Sequence, residues 1–364
     1  MRDITKYCLE TAAVFVFMAM AAGATSANSI VTGTITDKAG ALLPGVPITF
    51  LHQKSSIAVT GLSGPNGRFE IWLQKSGSHV ATAGGRKWTA EPVTMIATKS
   101  KAHAINFTLS PSPNYLQKLP SSHWLSVLPE GEMKREFLVN CTSCHEISHP
   151  RMTRKGMHRS RESWAEAIAV MRSIDEYGLT PADFDDDLYA KWLAGNLTEK
   201  AMSGAAPLED TNPAAMNARF TEYPVPKHPA LPHDLVVGPD RRIWVTGFFN
   251  DEMWALEPST GEIEAFPINE KVDTLGQVRA LKFKANGKLV MLLGGTDAMV
   301  ELDPETGAYQ TFDAGMYGHS LDLDSQGNVW FNDYFGKPEQ IGKIDGGTGE
   351  LTVHQIPSAY LTEA

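Results

Sequence analysis

Leu235-Val236-Val237-Gly238-Pro239-Asp240-Arg241-Arg242-Ile243-Trp244-Val245 is one of three copies of a single pattern. It aligns with Leu281-Lys282-Phe283-Lys284-Ala285-Asn286-Gly287-Lys288-Leu289-Val290-Met291, and again with Leu321-Asp322-Leu323-Asp324-Ser325-Gln326-Gly327-Asn328-Val329-Trp330-Phe331. Each copy holds two short apolar runs around a Gly/Asp/Asn turn, which reads as a hairpin. A second hairpin follows in each, around Leu256–Glu262, Leu302–Gly307 and Ile344–Glu350. Four short strands per unit, at a period of about 40–46 residues, are the pattern of a β-propeller. A single four-stranded blade cannot bury both faces, so neighbouring blades must stack. The copies place a partial propeller of about three blades at 219–364. Closed propellers have about 4–8 blades, so the chain reads as a truncated piece, or as one that closes by association.

Upstream the texture changes twice. A Gly/Ala/Pro/Asn stretch from about Ser203 to Asn217 separates the repeats from a helical segment at 114–200. That segment carries Cys141-Thr142-Ser143-Cys144-His145. C-x-x-C-H is the attachment signature of a c-type haem. Two thiols three residues apart lie on one face of a helical turn, where both can reach the two haem vinyls. The adjacent histidine is carried under the ring as proximal iron ligand. A zinc site would need a second cysteine pair and a thioredoxin-like site a βαβ context, and the sequence has neither. The expectation is one covalent haem c on Cys141 and Cys144, with His145 on the iron.

The sixth ligand is open. Methionine opposite histidine suits an electron carrier, and Met152, Met157, Met171 and Met202 are candidates. Ser163-Trp164-Ala165-Glu166 reads as a capping box, and Trp164, Ile168 and Met171 follow at i, i+4 and i+7 as one apolar stripe. Met171 is therefore the tentative distal ligand, ahead of Met157 and Met152 and of His149 or His158. A stripe methionine is also ordinary core filler. Thr180-Pro181 opens another helix, with Phe184, Leu188 and Trp192 as its buried face and Gly195 as its C-cap. The basic run Arg151, Arg154, Lys155, Arg159 and Arg161 suits haem propionates or an acidic redox partner, and equally a solvated loop.

Before Ser110-Pro111-Ser112-Pro113, residues 29–110 read as all-β. Short runs recur at Ile30–Ile35, Val46–Leu51, Arg68–Leu73 and Ala104–Leu109, separated by turns such as Gly64-Pro65-Asn66-Gly67. Residues 1–27 show basic Arg2 and Lys6, an apolar run Thr11–Gly23, then small residues, the layout of a signal peptide. Cys8, the third cysteine of the chain, lies within it. Its removal leaves two cysteines, both committed to haem. An exported, periplasmic location follows, with membrane contact only if the segment stays uncleaved. The net charge of −10 argues against nucleic-acid binding.

Each segment also resembles a known family. The order G-x-I-x-D-x-x-G, P-G-V-x-I-x-F and G-x-x-G-x-N-G-x-F in 29–110 resembles the carboxypeptidase regulatory-like domain, implying a prealbumin-like β-sandwich used as a spacer or binding module. Trp164, Met171 and Leu188-Tyr189 resemble short cytochrome c domains fused to propellers, implying an all-α cytochrome c fold. Pro232–Val245 (P-H-D-L-x-x-x-P-D-x-x-I-W-V) and Gly318–Phe331 (G-H-S-L-D-x-D-x-x-G-N-V-W-F) resemble the streptogramin (virginiamycin B) lyase family. His233 and His319 hold equivalent places on the innermost strand and are channel-lining candidates, while the middle blade has Arg279-Ala280. The family's lyase residues belong to later blades, so none is carried over. Asp322-Leu323-Asp324-Ser325-Gln326-Gly327 mimics a calcium loop, but its twelfth position is Asp333 and a plain turn is the better reading.

The sequence thus describes a multidomain chain: β-sandwich, cytochrome c domain and partial propeller. The expected function is haem-based one-electron transfer with a redox partner protein, the β modules binding a small-molecule or glycan ligand. A propeller-based lyase or oxidoreductase using the haem as electron acceptor, and a cell-surface sensing protein, are the alternatives. No catalytic residue is identified.

Overall fold

The computed structural model describes residues 28–142, 146–173, 185–205, 211–228, 230–268, 276–336 and 340–357. The expected signal peptide lies outside them. The chain builds three units in sequence order.

The first holds β1 Ser29–Asp37, β2 Pro47–His52, β3 Ala58–Leu62, β4 Arg68–Leu73, β5 Gly77–Ala83, β6 Trp88–Thr89, β7 Val93–Ala97, β8 Ala102–Ala104 and β9 Phe107–Pro111. One sheet runs β4-β1-β9-β6, with β8 also on β1, and the other contains β3-β2-β5-β7. Both sheets contribute to one core: Val31, Ile35, Ile71 and Leu109 from the first, Ile48, Phe50, Ala81 and Ala97 from the second. The period-2 logic is plainest in β4, where Phe69, Ile71 and Leu73 are buried and Arg68, Glu70 and Trp72 exposed.

The second unit is helical: α1 Ser121–Ser126, α2 Glu132–Cys141, α3 His149–Met152, a small ribbon of β10 Thr153–Arg154 and β11 Met157–His158, then α4 Arg161–Ser173, α5 Asp186–Asn196 and α6 Glu199–Gly204. Trp124, Phe137, Trp164, Tyr189, Leu193 and Met202 anchor its core. The local expectations need correcting here. Helix α4 starts at Arg161, and Ser160 accepts from the Ser163 amide (3.3 Å) in place of the expected box at Ser163. The start expected at Thr180-Pro181 and the contact of Phe184 lie outside the described residues. Asp185 caps α5 by accepting from the Leu188 amide at 2.9 Å. The buried face of α5 is Tyr189, Ala190 and Leu193, while Leu188 is exposed. Gly195 is inside α5, whose C-cap is Leu197. Met171 is 44 % exposed rather than on the buried stripe with Trp164.

β12 Arg219–Glu222, expected to open the propeller, pairs antiparallel with β3, Arg219 opposite Gly61 and Glu222 opposite Ala58. It covers an otherwise open sheet edge, and Arg219 also donates to the Glu70 carbonyl at 3.0 Å.

The third unit is three antiparallel four-stranded meanders. They are β13 Pro232–Val237, β14 Ile243–Gly247, β15 Glu252–Glu257 and β16 Glu262–Pro267; β17 Val278–Phe283, β18 Leu289–Leu293, β19 Ala298–Leu302 and β20 Tyr309–Asp313; and β21 Gly318–Leu323, β22 Val329–Asp333, β23 Gln340–Ile344 and β24 Leu351–Gln355. The order within each, with successive sheets stacked face to face, makes them blades of a propeller-type sector. Trp244, Met253 and Phe266 of the first blade pack on Leu289, Met291 and Val300 of the second. On the other face Val290, Leu292 and Met299 pack on Val329, Phe331 and Ile344 of the third. Strand β18 is therefore buried at every position, which is why it reads Leu-Val-Met-Leu-Leu without alternation. In the first blade Leu235 and Val237 are 66 % and 63 % exposed.

Candidate functional site

Cys141 ends α2 and packs against the helical core, whereas Ser143, Cys144 and His145 lie outside the described residues. Around it, Phe137 and Tyr189 both meet Trp192 edge-on, with ring centroids 6.1 and 6.0 Å apart. The Tyr189 hydroxyl donates to Glu136. Burial first, then that bond, pushes its phenol well above the usual range, so it stays a neutral donor.

The candidate distal ligands separate by environment. Met152 and Met202 are 3 % and 2 % exposed, packed into the core, whereas Met171 and Met157 are 44 % and 68 % exposed. Met157, His149 and His158 line a cavity of about 490 Å³ with Tyr115, Trp124 and Met202. His158 Nδ1 lies 2.8 Å from the Leu197 carbonyl. A carbonyl can only accept, so Nδ1 is the donor in this contact. Burial, then the nearby His158, lowers the pKa of His149.

Two buried indoles in this core, Trp124 and Trp164, have Nε1–H groups that meet no acceptor among the described residues. Buried donors are nearly always satisfied, so these two are left for acceptors beyond the described residues. Carboxylates such as haem propionates would accept from them. Cys141 packs against the same core, while Cys144 and His145, the other residues a haem would need, lie outside the described residues. The basic run is less available: Arg154 pairs with Glu166, Arg161 with Asp187, and Arg159 donates to the Arg151 carbonyl at 2.9 Å.

In the propeller sector the inner strands β13, β17 and β21 each carry a register shift at one equivalent place, between Pro232/Leu235, Arg279/Leu281 and Gly318/Leu321. Such a bulge re-aims side chains. It brings His233 and His319 together, ring centroids 5.6 Å apart. His233 stacks on Phe248 (5.4 Å) and His319 on Tyr334 (4.6 Å). Arg279, the equivalent in the middle blade, is 4 % exposed. Its guanidinium carbon lies 4.9 Å from the Phe248 ring and 4.3 Å from that of Tyr317. Gln277 Oε1 accepts from both Arg279 (3.1 Å) and the Tyr317 hydroxyl (3.0 Å).

Asp234 Oδ2 lies 2.6 Å from His233 Nδ1 and accepts the Ala280 amide of the next blade at 2.9 Å. His319 Nδ1 is 3.2 Å from the Ser320 hydroxyl. Burial, then the positive charge of Arg279, lowers the pKa of His319, which is neutral near pH 7. Arg279 is the residue sequence reading passed over. Its signal was the column it shares with His233 and His319. The D-x-D-x-x-G segment is a turn: Asp324 accepts the Gln326 and Asn328 amides at 2.9 and 3.0 Å. Among the described residues no group of three or more His, Cys, Asp or Glu is placed to hold a metal ion.

No family model matches the chain. No curated protein matches it by sequence. Among solved structures it is similar to virginiamycin B lyase from Staphylococcus aureus (18 % identity, 39 % of this chain and 47 % of that one, TM-score 0.35). It is also similar to Kuenenia stuttgartiensis hydrazine synthase (13 %, 38 % and 40 %, TM-score 0.32) and to a gluconolactonase from Xanthomonas campestris (12 %, 35 % and 47 %, TM-score 0.29). The chain spans about half or less of the length of these proteins. The propeller assignment rests on its own sheet order and stacking.

Proposed function

We propose that the chain is an exported c-type cytochrome in which a helical haem unit is fused to a carboxypeptidase regulatory-like β-sandwich and a lyase-like propeller sector. The observation that carries this reading is the Cys141-x-x-Cys144-His145 motif, whose first thiol ends a helix packed on an aromatic core. Cys141 and Cys144 would hold the haem through thioethers and His145 its iron, and the bound group would supply one-electron chemistry. The chain's own contribution is a dry, donor-rich seat. Phe137, Trp164 and Tyr189 exclude water, and Trp124 and Trp164 offer indole donors. Met171 is retained as the tentative distal ligand from its place in the sequence, with Met157 the other candidate methionine that is not packed into the core.

The test is a reduced-minus-oxidised absorption spectrum of protein exported with a haem-maturation system. Wild type is expected to show a sharp c-type α-band and a methionine-to-iron charge-transfer feature. Met171→Leu should lose the latter, and Cys141→Ala should lower covalent haem to a small fraction of wild type. Absence of covalent haem in folded wild type would refute the reading. A spectrum indifferent to Met171→Leu would keep the cytochrome and move the distal ligand to the cavity holding Met157, His149 and His158.

A further inference from the structure

We infer that the inner-strand cluster of the propeller sector is a binding site for a small hydroxycarboxylate with an apolar body. Three side chains from three blades converge through the same bulge, and each offers a different function. Arg279 supplies a fixed positive charge in the planar fork that matches a carboxylate. His319, whose Nδ1 lies 3.2 Å from the Ser320 hydroxyl, in the tautomer that accepts from that hydroxyl presents an Nε2–H donor to the same carboxylate. His233 Nδ1–H donates to Asp234, so in the neutral ring Nε2 is an acceptor suited to a ligand hydroxyl. Phe248 and Tyr334, stacked on the two imidazoles, form apolar walls, and Tyr334 is 48 % exposed at the rim.

The arginine is built into the blade rather than tolerated by it. In the first and third blades the loop after the second strand carries Phe248-Phe249 and Tyr334-Phe335, whereas in the middle blade it carries Gly294-Gly295. A Cβ on Gly294 would lie 2.9 Å from Arg279 Nε, 3.0 Å from its Cζ and 3.0 Å from the Tyr317 ring. Glycine there opens the room that the guanidinium and Tyr317 fill. Two imidazoles held from behind at Nδ1 also resemble metal ligands. The Arg279 guanidinium favours an anion at its end of the cluster, while the Asp234 carboxylate behind His233 is engaged by the imidazole and by the Ala280 amide.

The test is calorimetric titration of the full chain with mandelate, with phenylacetate (no hydroxyl) and with 1-phenylethane-1,2-diol (no carboxylate). Mandelate should bind at least tenfold tighter than the diol and several-fold tighter than phenylacetate. Arg279→Gln should abolish the preference over the diol, with Arg279→Lys restoring part of it, and His233→Phe should abolish the preference over phenylacetate. If Arg279→Gln fails to fold by circular dichroism, Gly294→Ala and His319→Phe decide instead, each expected to weaken mandelate at least fivefold. Mandelate binding no tighter than the diol, or unchanged in the folded variants, overturns the site. Mandelate and phenylacetate binding alike overturns the role of His233. The assignment is independent of the haem, since these titrations read the same on protein lacking it.

Discussion

The tryptophans of the blades and those of the helical unit obey different rules. In the blades every indole N–H has a carboxylate: Trp244 donates to Asp240 (3.4 Å), Trp254 to Glu252 (2.9 Å) and Trp330 to Asp324 (2.9 Å). In the helical unit Trp124 and Trp164 are as deeply buried, yet their N–H groups find no acceptor among the described residues. Leaving a buried donor unmade costs about 1–3 kcal/mol, so the second arrangement is stable only if something other than these residues accepts. The difference separates blades whose indole donors are met by nearby carboxylates from a unit whose indole donors look beyond the described residues for an acceptor. On the proposed reading that acceptor is haem.

The comparison breaks most sharply if haem is withheld. Protein exported without haem maturation should lose the cooperative transition of the helical unit while retaining that of the blades. Heating followed by circular dichroism, helical signal against β signal, separates the two, because units that unfold independently are not described by one midpoint. A helical transition indifferent to haem would remove the physical basis of the comparison. Next in size is Trp244→Ala, which empties the contact between the first two blades. It should destabilise the blades by about 3–5 kcal/mol, equally with and without haem, in denaturant titrations. Trp124→Phe keeps most of the apolar volume and should cost about 1 kcal/mol, and only in the haem-loaded protein.

What was legible in the sequence follows the same division. The blades announced themselves because each is a local meander whose turns carry Gly, Asp and Asn at fixed places. Asp240 and Asp324 both serve such a turn and a tryptophan N–H. His233 and His319 could be paired from the repeat alone. Arg279 stands in the same column, but its role also depends on Gly294, a contact across the blade that no periodicity displays. The helical unit was legible at its motif but poorly elsewhere. Helix α5 turns Tyr189 and Leu193 inward instead of Leu188 because it packs on α4 and on Phe137 and Trp164, a choice set by tertiary contacts. Strand β12 defeated the domain boundary for a related reason. Its four exposed residues carry no burial pattern, and its place is decided by a free edge more than 150 residues earlier in the chain.

The smallest predicted effect concerns how a blade closes its polar groups. Asp324 accepts from Trp330 Nε1, from Asn328 Nδ2 at 2.8 Å and from two turn amides. The bond from Trp330, then that from Asn328, holds its carboxyl far below the usual range. A carboxylate whose pKa is depressed in the folded state adds stability above its unfolded pKa, and that stability is lost as pH falls through the folded value. Asp324→Asn should therefore lower the midpoint of the blade transition at pH 7, with a gap to wild type that narrows steadily below about pH 4. The gap should be modest, because the carboxyl is well solvated and its interactions are screened. The middle blade provides the control. Its turn residue Asn286, at the place of Gln326 in the third blade, accepts the Lys288 amide at 3.1 Å and has no acidic pKa, so Asn286→Ala should show a gap independent of pH. A gap for Asp324→Asn that is likewise flat with pH would mean the turn geometry, not the ionised carboxylate, is what the third blade needs from that residue.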